Sequence, residues 1–132
     1  MIKINKDLIN NREIFITLDE YISNGHWAIK KEECVIDGKI KLKKENFRAD
    51  LQLNIQIDTK NLVSYNLFKE DDKFSYFKYN NKTIKLNRKY VENLGNFNSI
   101  VASSKNTNKP CLINGIYISP VINENKQTKK EK

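Results

Sequence analysis

Few side chains here could serve as a nucleophile or a base. There is one histidine, His26, and there are two cysteines, Cys34 and Cys111. His26 lies beside the sole tryptophan, Trp27, just past Asn24-Gly25. An imidazole there can stack on a base, act as a lone general base, or pack within the turn. With a single histidine, a Ser-His-Asp relay or a His-rich metal site has nothing to spare. A Cys34–His26 dyad would need the two to meet across a sheet, and no neighbour in the sequence marks Cys34 as an activated thiolate. Both cysteines sit in apolar, strand-like runs without a second ligand at metal spacing, which reads as buried reduced thiols. Glu70-Asp71-Asp72 gathers acids without the glycine hinge and spaced ligands of a cation loop, and reads as a solvated turn. The four glycines are all taken up by turns and a helix cap, leaving none for a phosphate loop. These residues predict no enzyme, no cofactor and no metal.

Surface chemistry is better represented. The 132 residues carry a net charge of +8, of which the tail from Glu124 contributes +2 and the body +6. Such an excess on a small domain suits a polyanion or an acidic protein surface, and equally describes a lysine-biased but merely solvated exterior. Lys39, Lys41 and Lys43 alternate with Ile40 and Leu42, forming a ladder that either guards an edge strand or offers phosphates a basic stripe. Lys73-Phe74-Ser75-Tyr76-Phe77-Lys78-Tyr79 interleaves aromatic rings with lysines. That pattern serves single-stranded nucleic acid, and it serves a strand with one core face just as well.

The elements that hold these groups are mostly strands. At 39% hydrophobic and 30% charged residues, one domain over residues 1–122 is expected, followed by a disordered Lys-rich tail at 123–132. No run reaches membrane-spanning length and the first residues lack an apolar signal core, so a cytosolic protein is expected. Residues 6–11 predict one or two helical turns. Residues 12–18 read as extended. Asn24-Gly25 and Asp37-Gly38 predict two-residue hairpin turns. Strand alternation then sends His26 and Trp27 to opposite sides, with Trp27 expected in the core; an exposed Trp27 would move the functional surface to this turn. Phe47–Ile57 alternates strictly and predicts a long strand. Residues 61–68 fit a strand or a short helix. A hairpin follows through Asn80-Asn81, then a two-turn helix capped by Asn87 and ended by Gly95, a strand over residues 98–103, and a closing hairpin at Asn114-Gly115. The fold class is α+β, predominantly antiparallel β: a curved sheet of successive hairpins with one or two short helices.

Tyr21-Ile22-Ser23-Asn24-Gly25-His26-Trp27, the helix segment Ile84 to Leu94 and the closing segment Pro110 to Val121 together resemble single-domain phage proteins related to one domain of the bacterial DNA polymerase sliding clamp. Ser119 and Ile122 replace the usual Met and Arg of the closing segment, and Trp27 stands where clamps carry Arg. The resemblance implies helices on one face of a curved sheet, a phage or mobile-element origin, and Lys85, Arg88 and Lys89 as basic positions facing DNA. The resulting expectation is an accessory protein binding DNA or RNA through Lys39, Lys41, Lys43, Lys85, Arg88 and Lys89. The alternative is an inhibitor occluding a host defence complex, a protein–nucleic-acid assembly, with His26 and Trp27 as its partner-binding residues.

Overall fold

The computed structural model describes residues 1–122, with residues 53–55 described by backbone only; the tail read as disordered lies outside the described residues. Twelve strands are present: β1 (Ile2–Ile4), β2 (Ile14–Ile16), β3 (Tyr21–Ser23), β4 (Trp27–Lys30), β5 (Cys34–Ile36), β6 (Leu42–Lys44), β7 (Leu62–Glu70), β8 (Phe74–Tyr79), β9 (Lys82–Asn87), β10 (Ser99–Ser103), β11 (Cys111–Ile113) and β12 (Ile116–Ile118). Three helices, α1 (Lys6–Ile9), α2 (Ala49–Gln56) and α3 (Arg88–Leu94), and a 3₁₀ turn at Lys31–Glu33 complete the elements of the described residues. Ten strands form one sheet in the order β6-β2-β3-β4-β12-β11-β10-β7-β8-β9, while β1 and β5 pair in parallel apart from it. Within the large sheet every pairing is antiparallel except β2 with β6. The expected α+β, mainly antiparallel class is what the chain adopts.

The sheet is strongly curled. Ser119 N donates to His26 O at the start of β4, and Val121 N donates to Lys85 O in β9. Five strands separate β4 from β9. In a flat sheet those six steps would span about 29 Å, whereas the two residues from 119 to 121 reach about 7 Å. Residues 119–121 therefore strap the two halves together, and the inward face closes on one core. That core runs from Ile14, Ile22 and Trp27 through Tyr65 and Phe77 to Ile84 and Leu86, and is plugged by Leu8 of α1 and by Tyr90, Val91 and Leu94 of α3.

Two expected turns take other forms. Ser23 pairs with Ala28, leaving four residues between the paired positions, and only Gly25, at φ 95°, takes a positive φ. The Asn24 side chain shapes this turn: its Oδ1 accepts from His26 N at 2.8 Å and Trp27 N at 3.3 Å. Asn24 is 2% exposed, and its Nδ2 donates to Leu8 O, Ile9 O and the Tyr90 hydroxyl. Asp37-Gly38 makes a turn, with Ile40 N bonding to Asp37 O, but Gly38 takes no positive φ and no hairpin results. Instead β5 joins β1, and β6 joins β2 at the sheet edge. By contrast Asn114 and Gly115, at φ 48° and 84°, make the expected two-residue hairpin with Ile113 paired to Ile116. Helix α3 is also as read, capped by Asn87 accepting from Lys89 N and ended by Gly95, where a Cβ would meet the Phe97 ring at 2.7 Å.

Residues 49–56, expected as a strand, are helical. Ala, Leu and Gln favour helix, and this stretch has no aromatic residue and few β-branched ones to favour a sheet. The deciding contact is tertiary: Asp19 accepts from Ala49 N at 2.8 Å and Asp50 N at 2.7 Å, capping the helix from another part of the chain. Alternation is a poor match to a helix, and Leu51 is left 57% exposed. Ala49 packs with Tyr21 and Ala28 outside the main core, so α2 covers the outer face while α1 and α3 fill the inner one. Helices thus lie on both faces, not on one.

Trp27 is 2% exposed and its Nε1 donates to Leu8 O at 2.8 Å. Trp27→Ala is expected to lower the unfolding free energy by about 3–5 kcal/mol. Asn24→Ala should cost about 1–3 kcal/mol for each buried group it orphans. Urea titrations followed by circular dichroism check both, and a Trp27→Ala protein with the parent's midpoint would contradict this packing.

Candidate nucleic-acid interface

On the outer face of β7, β8 and β9, three aromatic rings each carry a lysine. Alternation in β8 buries Ser75 and Phe77 and turns Phe74, Tyr76 and Lys78 outward; in β9 it buries Ile84 and Leu86 and turns Lys85 outward. The β7–β8 register shifts between Leu67 and Lys69, so Phe68 is an extra residue with no partner opposite it. Such a bulge re-aims a side chain, and Phe68 emerges 53% exposed. Phe68 and Tyr76 have ring centroids 6.5 Å apart, and Tyr76 and Phe74 are 6.3 Å apart. Lys69 Nζ lies 5.1 Å from the Tyr76 centroid, Lys78 Nζ 5.7 Å from Phe68, and Lys85 Nζ 4.5 Å from Phe74. Cation–π contacts of this exposed kind are worth about 0.5–1 kcal/mol each.

Asp71 anchors the end of the row. Its Oδ1 accepts from Lys73 N and Phe74 N, and its Oδ2 accepts from the Tyr76 hydroxyl at 2.7 Å. The Tyr76 bond and the two amides hold its carboxyl below the usual range, while the same hydrogen bond raises the Tyr76 phenol. The Glu70-Asp71-Asp72 stretch is therefore a structured turn that fixes one ring. Among the described residues no group of three or more His, Cys, Asp and Glu could hold a metal ion.

The six lysines and arginines expected to form one surface are dispersed. Lys39 lies in the turn, Lys41 precedes β6, and only Lys43 is in the strand, paired to Glu13 at 2.8 Å; the three do not make a strand ladder. They sit at the β6 edge, the opposite end of the strand order from β9. Arg88 is committed to Glu92 at 3.0 Å and to Asp71 O at 2.8 Å. Lys89 is exposed on α3, and Lys85 joins the aromatic row. Sequence reading missed Phe68 and Lys69. The signal was present in Leu67-Phe68, two consecutive large apolar residues in a strand, which places one on each face unless a bulge intervenes.

The reactive groups are quiescent. The His26 ring lies 6.2 Å from that of Tyr90, and burial, with Arg12 nearby, holds its pKa down. Its ring meets α3 while the Trp27 indole meets α1, so both face the same helix pair; His26 belongs to the turn, where strand alternation does not apply. Buried Trp27 offers no anchor to a partner. Burial and Glu33 push the Cys34 thiol up to about 11, and burial pushes Cys111 up to about 12, so neither is an activated thiolate.

A concavity of about 240 Å³ lies between α2 and the outer face, with Phe15, Phe47, Tyr117 and His26 among its walls. Phe15 and Phe47 meet edge to face at 5.9 Å. No family model, curated protein or solved structure compared with this chain matches it. No helix among the described residues is long and apolar enough to cross a membrane.

Asp19 holds the roof of this concavity. Burial raises its pKa, but hydrogen bonds from the Thr17 hydroxyl and the Asp50 and Ala49 amides outweigh burial and bring it to about 2 from 3.8. A carboxyl depressed on folding contributes stability above its unfolded pKa, and that contribution is lost as pH falls through the folded value. The protein should therefore lose stability between about pH 4 and pH 2 through this group. Asp19→Asn should flatten that part of the profile and cost about 0.5–2 kcal/mol at neutral pH. Denaturant unfolding of both proteins across this range checks it.

Proposed function

We propose that this protein is a non-catalytic nucleic-acid-binding domain that acts through the outer face of β7, β8 and β9. The carrying observation is the row in which Phe68, Tyr76 and Phe74 each lie beside a lysine on a part of the sheet that no helix among the described residues covers. Sheet stability does not require it: an exposed phenylalanine at a bulge contributes little to a core that is complete on the other face. The net charge of +8 favours a polyanion in the same sense. Lys69, Lys78 and Lys85 supply the three phosphate contacts. Arg88 is a positioning residue, since its guanidinium ties α3 to the Asp71 turn.

Three phosphate contacts give a slope of log affinity against log salt of about −2 to −3. Binding to labelled DNA or RNA in fluorescence anisotropy should then weaken about 20- to 40-fold between about 50 and 200 mM salt. Charge reversal at Lys69, Lys78 or Lys85 should lower both the affinity and the magnitude of the slope by about one phosphate each. The same change at Lys39 or Lys41, beyond the far edge, should leave both unaltered. Absence of binding to any DNA or RNA at the lower salt would refute the proposal, and equal losses from both lysine groups would refute its location.

A further inference from the structure

The chemistry of the row goes further than charge. We infer that it selects single-stranded nucleic acid, DNA or RNA, by stacking unpaired bases on Phe68, Tyr76 and Phe74. This rests on the nucleic-acid reading above and adds the form of the ligand. Duplex bases rise about 3.4 Å per step along each strand. The ring centroids are 6.5 and 6.3 Å apart, nearly twice that step. One base can therefore meet each ring only if the strand is unstacked and drawn out, which pairing in a duplex forbids. A sheet face also has no element projecting far enough to enter a groove, whereas its aromatic side chains, inclined to one another by 61° and 74°, can each take one separated base.

The lysines fit the same ligand. Each ammonium now rests within 4.5 to 5.7 Å of a ring centroid. A base arriving on that ring displaces the ammonium, and its flexible stem can carry it to the flanking phosphate. Stacking and phosphate neutralisation thus occur at neighbouring atoms of the same nucleotide. The Tyr76–Asp71 hydrogen bond fixes one ring before binding, and the β-bulge fixes the direction in which Phe68 emerges. The Asp71 carboxylate, held at the Tyr76 hydroxyl, disfavours a phosphate at that point of the row. Three rings make a footprint of two or three bases.

The test compares probes that share phosphates but differ in bases. Anisotropy is measured for the full chain at about 50 mM salt with a deoxythymidine strand, a uridine strand, an abasic strand and a duplex, each about 15 nucleotides long. Both base-bearing single strands should bind at least about 10-fold more tightly than the abasic strand or the duplex. Phe68→Ala should weaken the base-bearing strands by about 5- to 100-fold and leave the abasic strand unaffected, while Phe68→Tyr should retain binding. Because Phe68 is 53% exposed, its replacement should keep the melting temperature, which is measured alongside. An abasic strand or duplex bound as tightly as the base-bearing strands, or a neutral Phe68→Ala, overturns stacking and leaves phosphate binding standing. If no probe binds, the nucleic-acid reading itself falls.

Discussion

The amide of Asn24 is the contact on which the inward architecture depends. One buried side chain accepts from the backbone of its own turn and donates to the last carbonyls of α1 and to the Tyr90 hydroxyl of α3. Outside, Arg12 Nε donates to the Asn24 carbonyl at 3.1 Å, closing the same turn from the solvent side. Three elements distant in sequence are thus set by one planar group with fixed donor and acceptor directions. Apolar packing alone would tolerate sliding of two short helices within a curled sheet; directional bonds at one point do not. Trp27 depends on this arrangement, because its indole reaches the same α1 carbonyl, Leu8 O, that Asn24 binds.

Much of the fold could be read locally. Alternation, turn residues and caps identified the β8–β9 hairpin, helix α3 and the hairpin at Asn114-Gly115, because there the deciding interactions lie within a few residues. The failures share the opposite property. Residues 49–56 carry a strand's alternation, yet the carboxylate that caps them as a helix is about thirty positions away at Asp19. Asp37-Gly38 has hairpin chemistry, but its flanking strands find partners in β1 and β2, a choice no local signal encodes. At the candidate interface, Lys73 to Tyr79 was legible as an aromatic–lysine run. Its completion by Phe68 and Lys69 was not, and Lys85, though named, was grouped with other residues, since cross-strand register and a bulge bring this set together.

The sheet divides its labour by face. Inward positions, strand after strand, hold Ile, Leu and aromatic side chains that close around α1 and α3. Outward positions are handled differently at the two halves: α2 roofs the β2–β4 half, whereas no helix among the described residues roofs the rings and lysines of the β7–β9 half. A surface that needed only solubility would place charge there without aromatic rings. Rings without charge would in turn leave a patch prone to self-association. The combination keeps the face wetted, because each ring is shielded by a charged side chain.

Residues 119–121 bear on how the chain reaches this state. They lie at the end of the described residues, yet they bridge β4, near the beginning, to β9, on the far side of the sheet. Closure of the curl is therefore a contact of high sequence separation, whose loop entropy is met before its bonds repay it. During synthesis the hairpins can form as they emerge, but the seam between the halves waits for the last turn of the sheet. Until then the Lys85 carbonyl on the β9 edge lacks its Val121 partner, and the growing chain is more exposed to mispairing with another strand.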